Sequence, residues 1–247
     1  MDIVGTGFLA RHLQPLRDRH PAATALAAGV PRHPLPNAEH ERELRLVGET
    51  IRDCRRRGRL LVFFSTVSMY GAPGCRGRED EPVVPSTRYG RHKLRLEEEV
   101  RGGGVPHLLL RLSYVIGPHG PSFRLVPALI AQIRAGRVRV QPGARRDILH
   151  VTDFVTVLDR LLALGVQDEI VNVASGDCVD IVDIVAHLEA RLGLRPEHDE
   201  VHDDVLSHCA SVARLRALVP EAAAWGPGYH RRAIDRYLVE SGNLAAV

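Results

Sequence analysis

The sequence predicts an α/β fold: a mostly parallel sheet covered by helices on both faces, with a small, less regular lobe towards the C-terminal end. Two observations predict it. Apolar stretches of strand length alternate with segments whose apolar residues recur at helical spacing, the pattern of repeated β-α units. The strand candidates at 59–65 (RLLVFFS) and 107–115 are nearly unbroken apolar runs, as expected of strands buried on both faces.

The elements follow in order. Residues 2–4 open as a short strand, and 8–19 has helical spacing through Phe8, Leu9, Leu13 and Leu16. A small-residue strand is expected at 22–30. A long, polar-faced helix follows at 39–57, with Leu44, Val47 and Ile51 as its apolar residues. After the strand at 59–65 comes a charged helix at 89–101, ended by the glycines at 102–104, and then the strand at 107–115. Helices are expected at 123–135 and 153–164, the second capped by Thr152 or Asp153. A strand at 169–173 and a helix at 182–192, capped near Asp180, complete the regular part. Beyond Gly176 only small helices near 211–218 and 229–240 are expected, as a lid or second lobe. The division is a sheet domain over 1–117 and 147–175, with a substrate lobe over 118–146 and 176–247.

Composition excludes several classes. With 247 residues, 45% hydrophobic and 26% charged, the chain can bury a core and is not disordered. A net charge of +3, with no basic run interleaved with aromatics, argues against nucleic acid. No apolar stretch reaches 18 residues, so no membrane span is expected, and the N-terminus lacks the charged and apolar regions of an export signal. Cys54, Cys75, Cys178 and Cys209 are widely spaced and form no C-x-x-C; they read as reduced thiols, which places the protein in the cytoplasm. His198 and His202 stand four apart, but Asp199 occupies the place where a metalloprotease helix needs Glu, so a solvated loop is expected there and no metal site.

Three motifs carry chemistry. Gly5-Thr6-Gly7-Phe8-Leu9-Ala10 is a G-x-G-x-x-A turn between the first strand and the first helix, which suits a dinucleotide pyrophosphate above a helix N-terminus. Tyr89 and Lys93 are four apart on one helical face. Among 33 Lys and Arg, Lys93 is the single lysine. Its compact ammonium can lower the pKa of a neighbouring phenol and can bridge ribose hydroxyls, which a broad guanidinium does poorly. Ser65, Thr66 and Ser68 follow the 59–65 strand directly, at the end of a parallel strand where open α/β sheets bind ligands.

Together these motifs resemble the extended short-chain dehydrogenase/reductase family, the NAD-dependent epimerase/dehydratase group that acts on sugars. Further segments in the same order extend the resemblance over most of the chain. Ala25-Leu26-Ala27-Ala28 is similar to the family's H-L-A-A strand, and 45–50 to its V-N-x-x-G-T helix. Leu110-Arg111 through Gly117-Pro118 is similar to L-R-x-x-N-V-x-G-P, 146–153 to R-D-F-I-H-V-x-D, and Val171-Asn172-Val173 through Gly176 to Y-N-V-G-S-G. The resemblance implies a Rossmann-like doubly wound sheet. It implies that Thr66 hydrogen-bonds the reacting sugar oxygen, that Tyr89 is the acid/base, and that Lys93 holds the nicotinamide ribose. Gly5, Gly7, Phe8 and Leu9 would cradle the pyrophosphate, and Ala27, Ala28 and Gly29 would line the adenine side. Arg32, Ser65, Leu112 and Val115 complete the expected cofactor set. Ser68, Tyr114, Arg124 and Arg146 are the expected substrate contacts. A homodimer through the 39–57 and 89–101 helices is implied likewise.

The chain departs from the family pattern in three places. The H-L-A-A-like strand follows the first helix at once, so an insert of roughly 35 residues, the size of a βαβ unit, is missing from the adenosine half. No carboxylate stands between Asp18 and Glu39, while Arg11, Arg17, Arg19 and Arg32 lie nearby; NADP(H) is therefore favoured over NAD(H). Val67 and Ser68 replace the Asp-Glu pair of sugar dehydratases, which removes that elimination chemistry. Tyr114 replaces a sugar-contacting Asn, implying a different or smaller substrate. The expected activity is an NAD(P)H-dependent ketoreductase acting on a keto-sugar, nucleotide-linked, of the deoxysugar or aminosugar kind used in antibiotic biosynthesis. An NAD-dependent sugar epimerase is the alternative, and a nonenzymatic NADP-sensing regulator a further one.

Overall fold

The structure is a computed structural model that describes residues 1–29, 37–71, 75–202 and 207–244. Its centre is a five-stranded, all-parallel sheet in the order β1 (Asp2–Val4), β2 (Ala23–Leu26), β3 (Leu60–Thr66), β4 (His107–Leu112) and β8 (Glu169–Val173). This is the Rossmann-like α/β fold expected from the alternation. β1 is the edge strand, and among the described residues the sheet carries no strand beyond it, on the side where the insert is missing.

Strand period decides which helix each residue meets. Leu61, Phe63 and Leu109 face α2 (Asn37–Arg57) and α3 (Arg88–Gly102), where Val47, Ile51, Cys54, Leu96 and Val100 close one core. Val62, Phe64, Leu108 and Leu110 face the opposite way, onto Phe8 of α1 (Phe8–His12) and onto Phe154 and Leu158 of α5 (Val151–Ala163). Each large side chain buried in this way contributes about 1.5–3 kcal/mol. Both faces being covered explains why β3 and β4 read as continuous apolar runs.

A three-stranded sheet of β5 (Tyr114–Ile116), β7 (Arg145–His150) and β9 (Cys178–Asp180) adjoins this domain. A parallel pair joins β6 (Arg137–Val140) to β10 (Glu197–Glu200). Helices α4 (Leu125–Arg134), α6 (Ile181–Leu192) and α8 (Tyr229–Glu240) pack around them, and α7 (Ala213–Leu218) packs against β8 of the central sheet. α3 is capped by Thr87, whose hydroxyl accepts from the Gly90 N–H, and α6 by Asp180, which accepts from the Val182 N–H.

Several expectations are corrected. The helix expected over 8–19 ends at His12 and gives way to a 3-10 turn at Gln14–Leu16; Pro15 has no N–H to continue the helical ladder. The strand expected over 107–115 breaks at Ser113. Its backbone N–H bonds Val173 O, after which β5 leaves β4 and pairs with β7. α5 starts at Val151 rather than 153, with His150 as its cap. The 197–200 segment is an edge strand, not a loop. Most consequentially, the cysteines are not all reduced: Cys178 and Cys209, 31 residues apart, form a disulfide, while Cys54 and Cys75 are free. Wide sequence spacing hid a pairing that the β7–β9 ladder brings together. No described helix is long and apolar enough to cross a membrane.

Candidate active site

Parallel strands deliver their carboxyl ends to one edge of the sheet, and there the chain leaves a cavity of about 740 Å³, within the usual range for small-ligand sites. Its floor begins at the glycine turn. Gly5 has φ +124°, and a Cβ there would stand 2.5 Å from Ala27 O, so only glycine lets the turn lie against the end of β2. Gly7 precedes α1, whose first N–H groups receive no side-chain cap. Gly7, Phe8, Leu9, Ala27, Ala28 and Gly29 line the cavity. Gly5 shapes the turn without lining it, and Arg32 lies outside the described residues.

The β3 end supplies hydroxyls. Thr66 Oγ1 donates to Ser68 Oγ at 2.9 Å and accepts from the Ser68 N–H at 3.1 Å. Ser65 Oγ is buried with no hydrogen-bond partner among the described residues. Tyr89 and Lys93, on the first turns of α3, line the same cavity as Ser65, Thr66 and Ser68.

Lys93 is only 4% exposed. Its ammonium donates to Glu43 Oε1 at 2.8 Å and to Phe64 O at 3.3 Å, which leaves its third donor uncommitted by these bonds. Glu43, 2% exposed, also lines the cavity, and its second oxygen lies 2.9 Å from His92 Nε2. Burial works to raise the pKa of Glu43, but the His92 hydrogen bond and the Lys93 charge overcome it and bring it down to about 2. Sequence reasoning missed Glu43. Its signal was a carboxylate on the apolar stripe Val47, Thr50 and Cys54 of α2, where a charge needs a partner.

Tyr114, Arg124, Leu112 and Val115 also line the cavity, with His208, which the sequence did not single out. Tyr114 and His208 stack at 11°, and the phenol oxygen lies 2.8 Å from His208 Nδ1. Arg124 caps the cavity side of α4, reaching Val115 O at 3.4 Å with its guanidinium 5.2 Å from the Phe8 ring. Arg146 is not among the lining residues; its guanidinium sits 5.7 Å from the Tyr114 ring. Burial, and then the Arg146 charge, push the pKa of His208 down to about 4, so its imidazole is neutral at neutral pH.

Of the arginines the sequence placed near the adenosine side, Arg11 donates to His119 O and Arg19 pairs with Asp159. In the 146–153 segment, Asp147 is fully buried and accepts from Ser175 and Gly176, which makes it a structural anchor. His198 pairs with Glu189, and no group of three metal-ligating side chains occurs among the described residues.

Comparison with known proteins places this geometry in context. The model of the NAD-dependent epimerase/dehydratase family matches residues 16–174. A UDP-glucose 4-epimerase of Azospirillum brasilense is 39% identical over 74 residues, which are 27% of this chain and 21% of that enzyme. Among solved structures, RMD from Pseudomonas aeruginosa complexed with NADPH aligns at a TM-score of 0.76 and 20% identity, over 96% of this chain and 97% of its own. MoeE5 in complex with UDP-glucuronic acid and NAD aligns at 0.75 and 22% identity, over 89% and 93%. At such identities these two likenesses are of fold.

Proposed function

From the premise that the chain belongs to the NAD-dependent epimerase/dehydratase family, we propose that it is an NADPH-dependent ketoreductase acting on a nucleotide-linked keto-sugar. The observation that carries this reading is the convergence of Thr66, Tyr89 and Lys93 on one cavity that also contains the glycine turn. The residues fit a dinucleotide: the uncapped N–H groups after Gly7 suit a pyrophosphate, and the unpartnered Ser65 hydroxyl and the spare Lys93 donor suit hydroxyl or amide groups. A bound nicotinamide cofactor supplies the hydride. The chain's own part is to hold and protonate. The Thr66 hydroxyl hydrogen-bonds the carbonyl oxygen, the Tyr89 phenol donates the proton to that oxygen, and the Lys93 ammonium holds ribose hydroxyls and favours the phenolate left behind.

Reduction is favoured over dehydration because Val67 and Ser68 stand where dehydratases carry their Asp-Glu pair, and Glu43, the carboxylate that lines the cavity, is committed to His92 and Lys93. β1 stands at the sheet edge with no described strand beyond it, which suits a cofactor that exchanges each turn. NADPH is preferred because the 19–38 stretch contains no carboxylate to meet a free ribose hydroxyl. The similarity to a UDP-glucose 4-epimerase favours one second reading, epimerisation by the same residues with retained NAD. Fluorescence titration with NADPH and NADH, followed by turnover of a UDP-4-keto-sugar, separates them. Stoichiometric NADPH oxidation is expected; turnover without net oxidation of the cofactor would replace reduction by epimerisation.

A further inference from the structure

We infer that His208 is a substrate-contacting, specificity-determining residue, and that the Cys178–Cys209 disulfide holds it at the cavity wall. The substrate part of this inference rests on the ketoreductase reading above. His208 belongs to the 207–211 segment, which has no helix or strand of its own to fix it. Besides the bonds from Asn172 Nδ2 to Ser211 O and from Ser207 Oγ to Gly143 O, three attachments place it. The His208 N–H donates to Arg145 O at 3.1 Å, the Ser211 N–H donates to Gly77 O at 2.9 Å, and Cys209 is bonded to Cys178 of β9. Gly77 has φ +68°, and a Cβ there would stand 2.5 Å from Cys209 O, so the segment is packed backbone against backbone. The covalent attachment lies next to His208 in sequence and is the strongest of the three.

That attachment holds the imidazole stacked on Tyr114, in the wall of the cavity. The neutral ring accepts the Tyr114 phenol proton at Nδ1, so Nε2 carries the ring N–H, and that atom has no partner among the described residues. A sugar hydroxyl or carbonyl oxygen is the acceptor this donor lacks. The same stack explains how the bulky Tyr114 serves where a smaller polar residue would reach the sugar directly: the Tyr114–His208 pair presents an imidazole to the substrate in its place. Cys178 and Cys209 are both partly exposed, so a small dithiol reaches them. In that exchange the S–S bond breaks, two electrons and two protons pass to the two cysteines, and the reagent closes to its own disulfide.

The experiment compares the oxidised full chain, the chain treated with dithiothreitol, and the Cys178→Ser/Cys209→Ser variant. The His208 imidazole C–H resonance, assigned with His208→Gln, is expected to titrate near pH 4 in the oxidised chain, and to move towards ordinary histidine values on reduction and in the serine variant. A midpoint unchanged by reduction overturns the tether. UDP-glucose affinity, by calorimetry, is expected to fall about tenfold on reduction, the size of one lost hydrogen bond, with NADPH affinity unchanged and no further effect of dithiothreitol on the serine variant. His208→Gln is expected to lose UDP-glucose affinity in both redox states. Equal UDP-glucose binding by all forms, or no binding by the oxidised chain, overturns the substrate contact. Failure of NADPH to bind any form instead sinks the reductase reading, while the His208 titration still decides the tether.

Discussion

Helix α3 takes part in two buried ion pairs one turn apart, and they are built differently. Glu97 meets Arg111 of β4 in a two-pronged bond, with Arg111 Nε 3.0 Å from Oε1 and Nη2 2.7 Å from Oε2. Arg111 Nη1 then donates to Tyr70 OH at 2.6 Å, and that hydroxyl donates to Asn172 Oδ1 at 2.8 Å. Neither charge lines the cavity, and the network ties α3, β4 and β8 together. Lys93 and Glu43 are as deeply buried, yet both form cavity wall and the ammonium keeps a donor in reserve. One pair is bound into a network away from the cavity and holds the fold; the other keeps its ammonium in the cavity wall, facing where a ligand would lie. Burial alone does not mark a functional charge; an unfilled bond beside a cavity does.

The largest effect should come from breaking the Glu97–Arg111 pair. Arg111→Met leaves Glu97 buried and unpaired, at an expected cost of about 3–5 kcal/mol in denaturant unfolding. Adding Glu97→Leu should restore most of that loss, and a double variant no more stable than the single one would show that the pair itself matters little. On the other side of the comparison, Tyr89→Phe removes the phenol proposed as proton donor while leaving the wall intact. Turnover should fall about 10²–10⁴-fold with NADPH affinity, read by fluorescence, nearly unchanged; full activity would end the mechanism. Lys93→Arg keeps the charge but misplaces the donors. NADPH affinity should weaken about 10–100-fold, the worth of a charge-assisted hydrogen bond, with slower turnover, and wild-type kinetics would make the lysine incidental.

The smallest effects lie in pH dependence, where two carboxylates act in opposite senses. Burial lifts Asp147 from 3.8 to about 6, so the fold takes up its proton before the unfolded chain does. Stability should therefore rise as pH falls from 6 towards 4. Glu43, despite its burial, is held at about 2 against an ordinary 4.5. Its contribution is complete above 4.5 and is lost as pH falls from 4.5 towards 2. Urea unfolding midpoints should thus peak near pH 4–5, and Glu43→Gln should remove the acid-side fall while leaving the Asp147 rise. A variant that falls as steeply as the wild type would show that Glu43 is not the group responsible.

How much was legible depended on range along the chain. Leu61 to Phe64 announce β3 because each neighbour in sequence faces the opposite covered side. The spacing of Tyr89 and Lys93 is a helical repeat, so their shared face could be read directly. Ser113 was not legible as a break, since β5 differs from β4 in its pairing partner and not in its polarity. The strand at 137–140 alternates exposed and buried residues but is four residues long, too short for its period to stand out.

By itself, then, the sequence determined the parallel sheet, the glycine turn and the shared helical face of Tyr89 and Lys93, because each is written in local periodicity or in a motif of contiguous residues. Only the tertiary structure decided that Glu43 is Lys93's partner from 50 residues away, that Cys178 reaches Cys209, and that His208 stacks on Tyr114. Those contacts join segments whose order along the chain carries no record of their distance in space; they are set by how β7, β9 and α2 pack, and packing depends on the whole core at once.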